Sequence, residues 1–248
     1  MSPQTTPVTL EAVTRKIQRI EEAQAIQNLI SLETYLFEAR EHEKRFALFA
    51  QKTPGLTVEL SGRGVFEGVE SARRTIVDTE KMFDESHGRA MRTTYADVQF
   101  PCDAAGRLDT QLTGTPMIEV AGDLETARAM WIMLSAWTTT MEGTWGAPEA
   151  RWAWNKAAAD FVKEDGEWRF WHYVRNPIFM TEYTQSWVDR SLKAPRMPQQ
   201  MHFDMHGAQP DRLPSKQYSP YSITRAPSLF PPPPEPYETF ADVEPYSY

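Results

Sequence analysis

The chain has 248 residues, of which 41% are hydrophobic and 12% aromatic, enough for one sizeable core. With 34 acidic against 26 basic side chains, a net charge of -8 argues against the basic footprint of a nucleic-acid or anionic-membrane binder. The single cysteine, Cys102, excludes an internal disulfide framework and an all-thiolate zinc site.

From Leu10 to about Arg40 the apolar positions Ile17, Ile20, Ile26, Leu29, Ile30, Leu36 and Phe37 recur at helical spacing, which predicts a long amphipathic helix with a break near Lys16. A short helix over Glu43 to Ala50 stops at Thr53-Pro54-Gly55. Leu56 to Leu60 and Gly64 to Phe66 read as short strands, and Glu70 to Phe83 as a third helix. Beyond His87 the period becomes alternating, predicting strands over Met91–Phe100, Leu108–Val120, Thr126–Thr140, Trp152–Val162 and Trp168–Phe179. Helices followed by antiparallel strands make an α+β pattern, a curved sheet with helices on one face. No apolar run approaches the ~20 residues that span a bilayer, and the N-terminal stretch has no apolar leader-like core, so a soluble, cytoplasmic protein is expected.

Asp165-Gly166 between two aromatic, β-branched runs is a strong hairpin signal, because a tight two-residue turn demands positive φ. Strict alternation puts Trp168, Phe170, His172 and Val174 on one face, and Arg169, Trp171, Tyr173 and Arg175 on the other. From Ala194 onward the composition turns to proline and isolated aromatics. The chain therefore divides into a domain over residues 1–193 and an arm over 194–248, whose rings anchor it to its own domain or a neighbouring subunit.

Four pieces in order, IEEAQAIQNLISLETYLFEAREHEKRFALFA, GRGVFEGVESARRTI, TPMIEVAGDLETARAMWIML and DGEWRFWHYVR, resemble the SnoaL-like branch of the NTF2-like superfamily. The resemblance implies a cone-shaped α+β barrel with a deep pocket between helices and concave sheet, assembled as a homodimer or homotrimer. Scytalone dehydratase-like members carry a Tyr-Asp pair near the end of the first long helix. The matching positions are Phe37 and Glu38, so the carboxylate persists, and Tyr35 stands in for the phenol.

No phosphate-cradling glycine loop, dinucleotide fingerprint or HExxH motif is present, which leaves cofactor-free and metal-free acid and base catalysis. His172, on an apolar face, and Glu38, at a helix end, are the expected acid and base, with Tyr35 and Arg92 assisting. A core histidine held by one hydrogen bond and a solvated glutamate are the bland alternatives. Asn155, Tyr95, Trp131, Trp137 and His42 are expected to contact substrate. His202 and His206, flanking Asp204, have the i, i+4 spacing of metal ligands on a helix, but the surrounding prolines oppose one. The expected activity is a lyase acting on a hydrophobic aromatic hydroxylated small molecule, by dehydration or by deformylation of a lignin-derived diarylpropane diol. Rival readings are an isomerase or polyketide cyclase, and the non-catalytic small subunit of a ring-hydroxylating dioxygenase.

Overall fold

A computed structural model describes residues 9–60, 63–140, 147–188, 209–214, 218 and 220–247. The first helix, α1 (Leu10–Glu38), starts at Thr9, whose hydroxyl accepts the Ala12 N–H, and runs without a break at Lys16. Its second half buries Ile26, Leu29, Ile30, Glu33 and Thr34, while Leu10, Val13, Ile17 and Ile20 of the first half stay exposed. Polar ties hold that first half instead: Arg15 donates to the Gly122 carbonyl, Arg19 pairs with Glu119, and Glu22 accepts from Lys163 and from the Trp168 indole. No helix among the described residues is long and apolar enough to cross a membrane.

After α2 (His42–Phe46) come β1 (Thr57–Leu60) and β2 (Gly64–Glu67). A continuous helical segment follows: α3 (Gly68–Arg73), a π turn (Arg74–Asp78) and α4 (Thr79–Thr94). The π turn widens the ring of the backbone ladder, and Thr75 and Glu80 are both buried across it. Helix α4 occupies the first part of the segment that alternation assigns to a strand over Met91–Phe100. His87, Ala90 and Met91 recur at helical spacing on its buried side, so the core selects the 3.6 period. The predicted strand over Leu108–Val120 is two strands, β3 (Asp109–Thr113) and β4 (Met117–Val120), split around Gly114 and Pro116.

The long strands β5 (Thr126–Thr139), β6 (Glu149–Glu164) and β7 (Glu167–Glu182) form an antiparallel meander at the centre of a seven-stranded sheet of order β2-β1-β7-β6-β5-β3, with β4 also on β5. The sheet is mixed rather than wholly antiparallel, because β1 runs parallel to β7. The β6–β7 turn takes positive φ at Asp165 (54°) and Gly166 (81°), as its sequence demands. Beside it Glu164 accepts backbone N–H bonds from Gln51, Lys52 and Thr53 at 3.0, 2.8 and 2.7 Å. Burial opposes its charge, but these donors outweigh burial and hold its pKa below the ordinary value. Glu164→Ala strips three donors of their acceptor and should cost about 2 kcal/mol, read as a lower urea midpoint at unchanged m-value.

The two helical layers cover one face of the sheet, where Ile26, Ile30, Phe49, Val58, Ile76, Trp131, Phe161, Phe170 and Tyr173 share one core. The described arm lies over part of the opposite face, where Ile132 and Trp154 stay exposed. Arg212 bridges to Val65 on the edge strand β2, pressing so close that a Cβ on Gly64 would lie 2.6 Å from Pro210. Farther on, Lys156 donates to the Ser228 and Phe230 carbonyls, and Tyr237 and Glu238 accept from Gly122 and Asp123. Tyr246 packs on Met130, Ala158 and Val174, and Ser247 bonds Glu59 and Thr57. Within the one chain, the described arm thus contacts the edge strand β2 and the side of the sheet away from the helices.

Candidate active site

The register of β6 with β7 decides which side chains face the helices. Asp160 pairs with His172 and Phe161 with Phe170, so Trp171 is an extra residue in a β-bulge, and parity inverts there. Trp168 and Phe170 face the helices before it, and Tyr173 after it, whereas Val174 lies on the arm side with Tyr246. Because β1 is parallel, Val58 meets Tyr173 and Leu60 meets Arg175 on the same helical side.

Tyr173 is 2% exposed and its ring packs against Phe49, Phe170 and Trp131. Burial, reinforced by Glu33, raises its pKa to about 12, so the phenol is neutral at physiological pH. Among the described residues its hydroxyl makes no hydrogen bond. Glu33, 4% exposed, receives Arg45 at 2.7 Å on Oε1, which leaves Oε2 without a hydrogen-bond partner among the described residues. Burial acts to lower the Arg45 pKa, but Glu33 and Glu80 outweigh it and the net shift is upward.

Glu80 links this centre to a second group at the end of α1. Arg40, with φ of 58°, reaches Glu80 at 3.1 Å, Asp84 at 2.7 Å and Asp109 at 3.0 Å. Arg107 joins Asp84 (3.1 Å) and Asp109 (2.8 Å), and His42 Nε2 lies 3.0 Å from Asp84. Burial raises the pKa of Asp109 despite both guanidiniums, while Asp84, also pushed up by burial, is pulled below its usual value by His42, Arg40 and Arg107. Glu80 is likewise opposed by burial but lowered overall by Arg40, Arg63, Arg45 and Arg107.

Two guanidiniums in this neighbourhood, Arg63 and Arg175, have no carboxylate partner among the described residues; Arg63 instead lies over the Phe83 ring at 5.5 Å. Burial lowers the Arg63 pKa, with Glu80 opposing the shift and Arg175 and Arg45 adding to it. In register across the sheet run Arg175, Ala157 and Trp131, so a fully buried alanine stands between a cation and an indole. The Trp131 Nε1 donor, the Gln111 Oε1 acceptor and the Thr75 hydroxyl are buried without partners among the described residues. An open surface groove of about 480 Å³, lined by Leu10, Glu11, Thr14, Arg15, Gln18 and Leu124, shares no residue with this cluster.

The structure does not assemble the predicted site. His172 is on the arm side: Nδ1 lies 3.0 Å from Asp160, and Phe240 and Trp171 pack against its ring. The bulge at Trp171, invisible to an alternating pattern, is the physical reason. Glu38 and Tyr35 point to solvent, Tyr35 being 71% exposed, because the inward stripe of α1 passes through Glu33 and Phe37. Arg92 pairs with Asp103 on the surface of α4, and Tyr95 is the 39% exposed C-cap of that helix, so neither lies on a strand. Trp131 and Asn155 do face the helices, with Asn155 donating to Ser135 at 3.0 Å. Trp137 pairs with Asp109 across β5 and β3, and His42 is buried in the ion network. His202, Asp204 and His206 fall outside the described residues, and no group of three or more metal-ligating side chains occurs among the described ones.

Tyr173, Glu33, Arg45, Glu80, Arg63 and Arg175 escaped sequence reasoning. Glu33 left a signal: it sits three and four residues after Ile30 and Leu29, a carboxylate inside an apolar helical stripe.

The ionisations have a pH signature. Glu80, Asp84 and Glu164, with depressed folded pKa values, contribute stability above the ordinary carboxylate range that is lost as pH falls through the depressed values. His87, buried against the Ala105 carbonyl, is lowered by burial, so its contribution is present above 6.5 and is lost as pH falls below that value. Asp109 alone of these groups acts in the opposite sense. Urea midpoints should therefore decline from pH 7 to 5, through His87, and again below pH 4.5; a constant midpoint down to pH 3 would contradict the assignment.

Comparison with known proteins agrees with this architecture. No curated protein matches the chain. A hexachlorocyclohexane dehydrochlorinase (LinA) of type 2 superposes with a TM-score of 0.50 at 14% identity, over 74% of this chain and 99% of that one. A LinA-type3 dehydrochlorinase from Novosphingobium barchaimii gives 0.49 at 12%, over 69% and 96%. A scytalone dehydratase-like protein from Novosphingobium aromaticivorans gives 0.48 at 15%, over 69% and 93%. At such identity the first of these similarities speaks for the fold alone. A family model for the SnoaL-like domain matches residues 18–174, from the middle of α1 to the strand that carries Tyr173, and the chain belongs to that family, with an NTF2-like fold.

Proposed function

We propose that the protein is a cofactor-independent lyase acting on a hydrophobic, hydroxylated aromatic compound. The observation that carries this reading is the neutral, buried Tyr173 phenol beside the Glu33 carboxylate, within a wall of aromatic rings. A neutral phenol beside a carboxylate paired with an arginine supplies the donor and the acceptor that concerted acid and base catalysis requires. Oε2 of Glu33 is the base and the Tyr173 hydroxyl the acid.

On a diarylpropane diol, Glu33 takes the proton of the hydroxymethyl group, the carbon–carbon bond to that group breaks and formaldehyde leaves. The released electron pair forms the stilbene double bond as the benzylic hydroxyl departs, protonated by Tyr173 as water. Arg175 and Arg45, both of which favour the Tyr173 phenolate, stabilise it until the Glu33 proton returns. If the base takes a proton from carbon instead, the outcome is plain dehydration. Incubation of the purified chain, alone, with such a diol should yield stilbene, formaldehyde and water in equal amounts. Unchanged diol, together with no dehydration of simpler benzylic alcohols, would defeat the lyase reading.

A further inference from the structure

We infer that the interior site holds its ligand by a carboxylate, bound between Arg63 and Arg175, with the ligand's ring lying over Ala157 against Trp131. This deepens the proposed function, on whose placement of the site it rests.

Five guanidiniums (Arg40, Arg45, Arg63, Arg107 and Arg175) meet four carboxylates (Glu33, Glu80, Asp84 and Asp109) in one network. Arg40, Arg45 and Arg107 each have a carboxylate within 4 Å. The surplus positive charge therefore falls on Arg63 and Arg175. The backbone brings these two together, since Arg175 is in register with Leu60 and the Arg63 N–H bonds the Leu60 carbonyl at 2.8 Å.

Two neighbouring half-buried guanidiniums repel one another, and the shape they complement is a planar carboxylate offering both oxygens. Long-range attraction cannot supply this preference, because the chain as a whole carries -8. An anion that binds here does so for the local pair.

The remainder of the site sets the ligand's body. Arg175, Ala157 and Trp131 stand on three adjacent strands, so the backbones that carry the cation and the indole are about 10 Å apart across the alanine. Ala157 is 0% exposed beneath, and Tyr173 with Ala159 forms the next row. That spacing accepts one aromatic ring. At its far end the Trp131 Nε1–H, buried and without an acceptor, offers a hydrogen bond to an oxygen on the ring's opposite side. Gln111 Oε1, also unpaired, is an acceptor on the neighbouring strand β3. The ligand class that satisfies these groups is an aryl carboxylate bearing a hydroxyl or ether oxygen away from the acid.

Calorimetric titration with 4-methoxybenzoate and with its neutral isostere, 4-methoxybenzamide, tests this without turnover. The acid is expected to bind at least about tenfold more tightly than the amide. In Arg175→Gln and Arg63→Gln that preference should vanish while the amide's affinity stays within about threefold of wild type. Tyr173→Phe should keep the preference. Circular dichroism and thermal melts establish that each variant is folded, and either arginine variant alone is enough to decide the outcome. The inference is overturned if the acid fails to bind, if acid and amide bind equally, or if the preference survives in the folded arginine variants. Turnover lost in Tyr173→Phe together with equal binding of acid and amide would remove the carboxylate site and leave the lyase reading standing. A carboxylate preference in a protein with no lyase activity would do the reverse.

Discussion

Tyr173→Phe is expected to fold normally and to lose about 10²–10⁴-fold in kcat, the usual contribution of a positioned general acid. The hydroxyl has no hydrogen bond to lose among the described residues, and the ring keeps its contacts with Phe49, Phe170 and Trp131. Stability should change by no more than about 1 kcal/mol. In wild type the alkaline limb of kcat should lie far above neutrality, since the phenol stays protonated up to about 12. Glu33→Gln should be equally damaging to kcat, but with a structural cost of about 3 kcal/mol, because buried Arg45 loses its counter-charge. The informative comparison is thus between a variant that loses activity at constant stability and one that loses both. A Tyr173→Phe protein turning over at more than a tenth of the wild-type rate would exclude the phenol as the acid.

How far each feature is legible in the sequence depends on the range of the interactions that make it. Helix α1, the short strands β1 and β2, and the long strands β5, β6 and β7 follow from local periodicity and turn chemistry, which a single sequence carries. The turn Asp165-Gly166 is the clearest case. The strand expected over Met91–Phe100 fails because a short mixed stretch supports either period, and contacts with the core, made by His87 and Met91, choose between them.

The candidate site is less legible for a related reason. One extra residue at Trp171 exchanges the faces of everything after it, so His172 and Tyr173 trade places relative to the helical face of the sheet. A bulge depends on the partner strand, here the Asp160–Phe161 step of β6, and leaves no mark in the alternation of β7 itself. Glu38 matches a motif position, whereas Glu33 is the carboxylate that the helical stripe turns inward. The ion network about Arg40 joins residues as far apart as α1 and β3, and Arg63 meets Arg175 only through the parallel pairing of β1 with β7. Trp131 and Asn155 face the helices because β5 and the start of β6 keep regular parity.

The same bulge gives His172 a structural place, and Asp160→Ala tests it with the largest expected loss of stability. Asp160 is 0% exposed and accepts three bonds: from Arg128 Nε at 2.9 Å, from the Tyr246 N–H at 2.8 Å and from His172 Nδ1 at 3.0 Å. Arg128 also lies over the Tyr246 ring at 4.2 Å, so one carboxylate fixes both the sheet's cation and the end of the arm. Removing it leaves a mostly buried guanidinium and an amide without an acceptor, a loss of about 3–5 kcal/mol. The arm should then loosen first, seen as faster amide exchange at Tyr246 and earlier proteolysis between β7 and the C-terminal residues. His172→Ala removes one of the three donors and a ring packed against Phe240, and should cost about 1–2 kcal/mol while kcat stays near wild type. These two outcomes together separate the faces of the sheet: damage on the arm side is read in stability, damage on the helix side in turnover. A folded His172→Ala protein with turnover lost would return the histidine to the chemistry, and an Asp160→Ala protein within about 1 kcal/mol of wild type would show that the arm is held without this carboxylate, by its rings and its other polar ties.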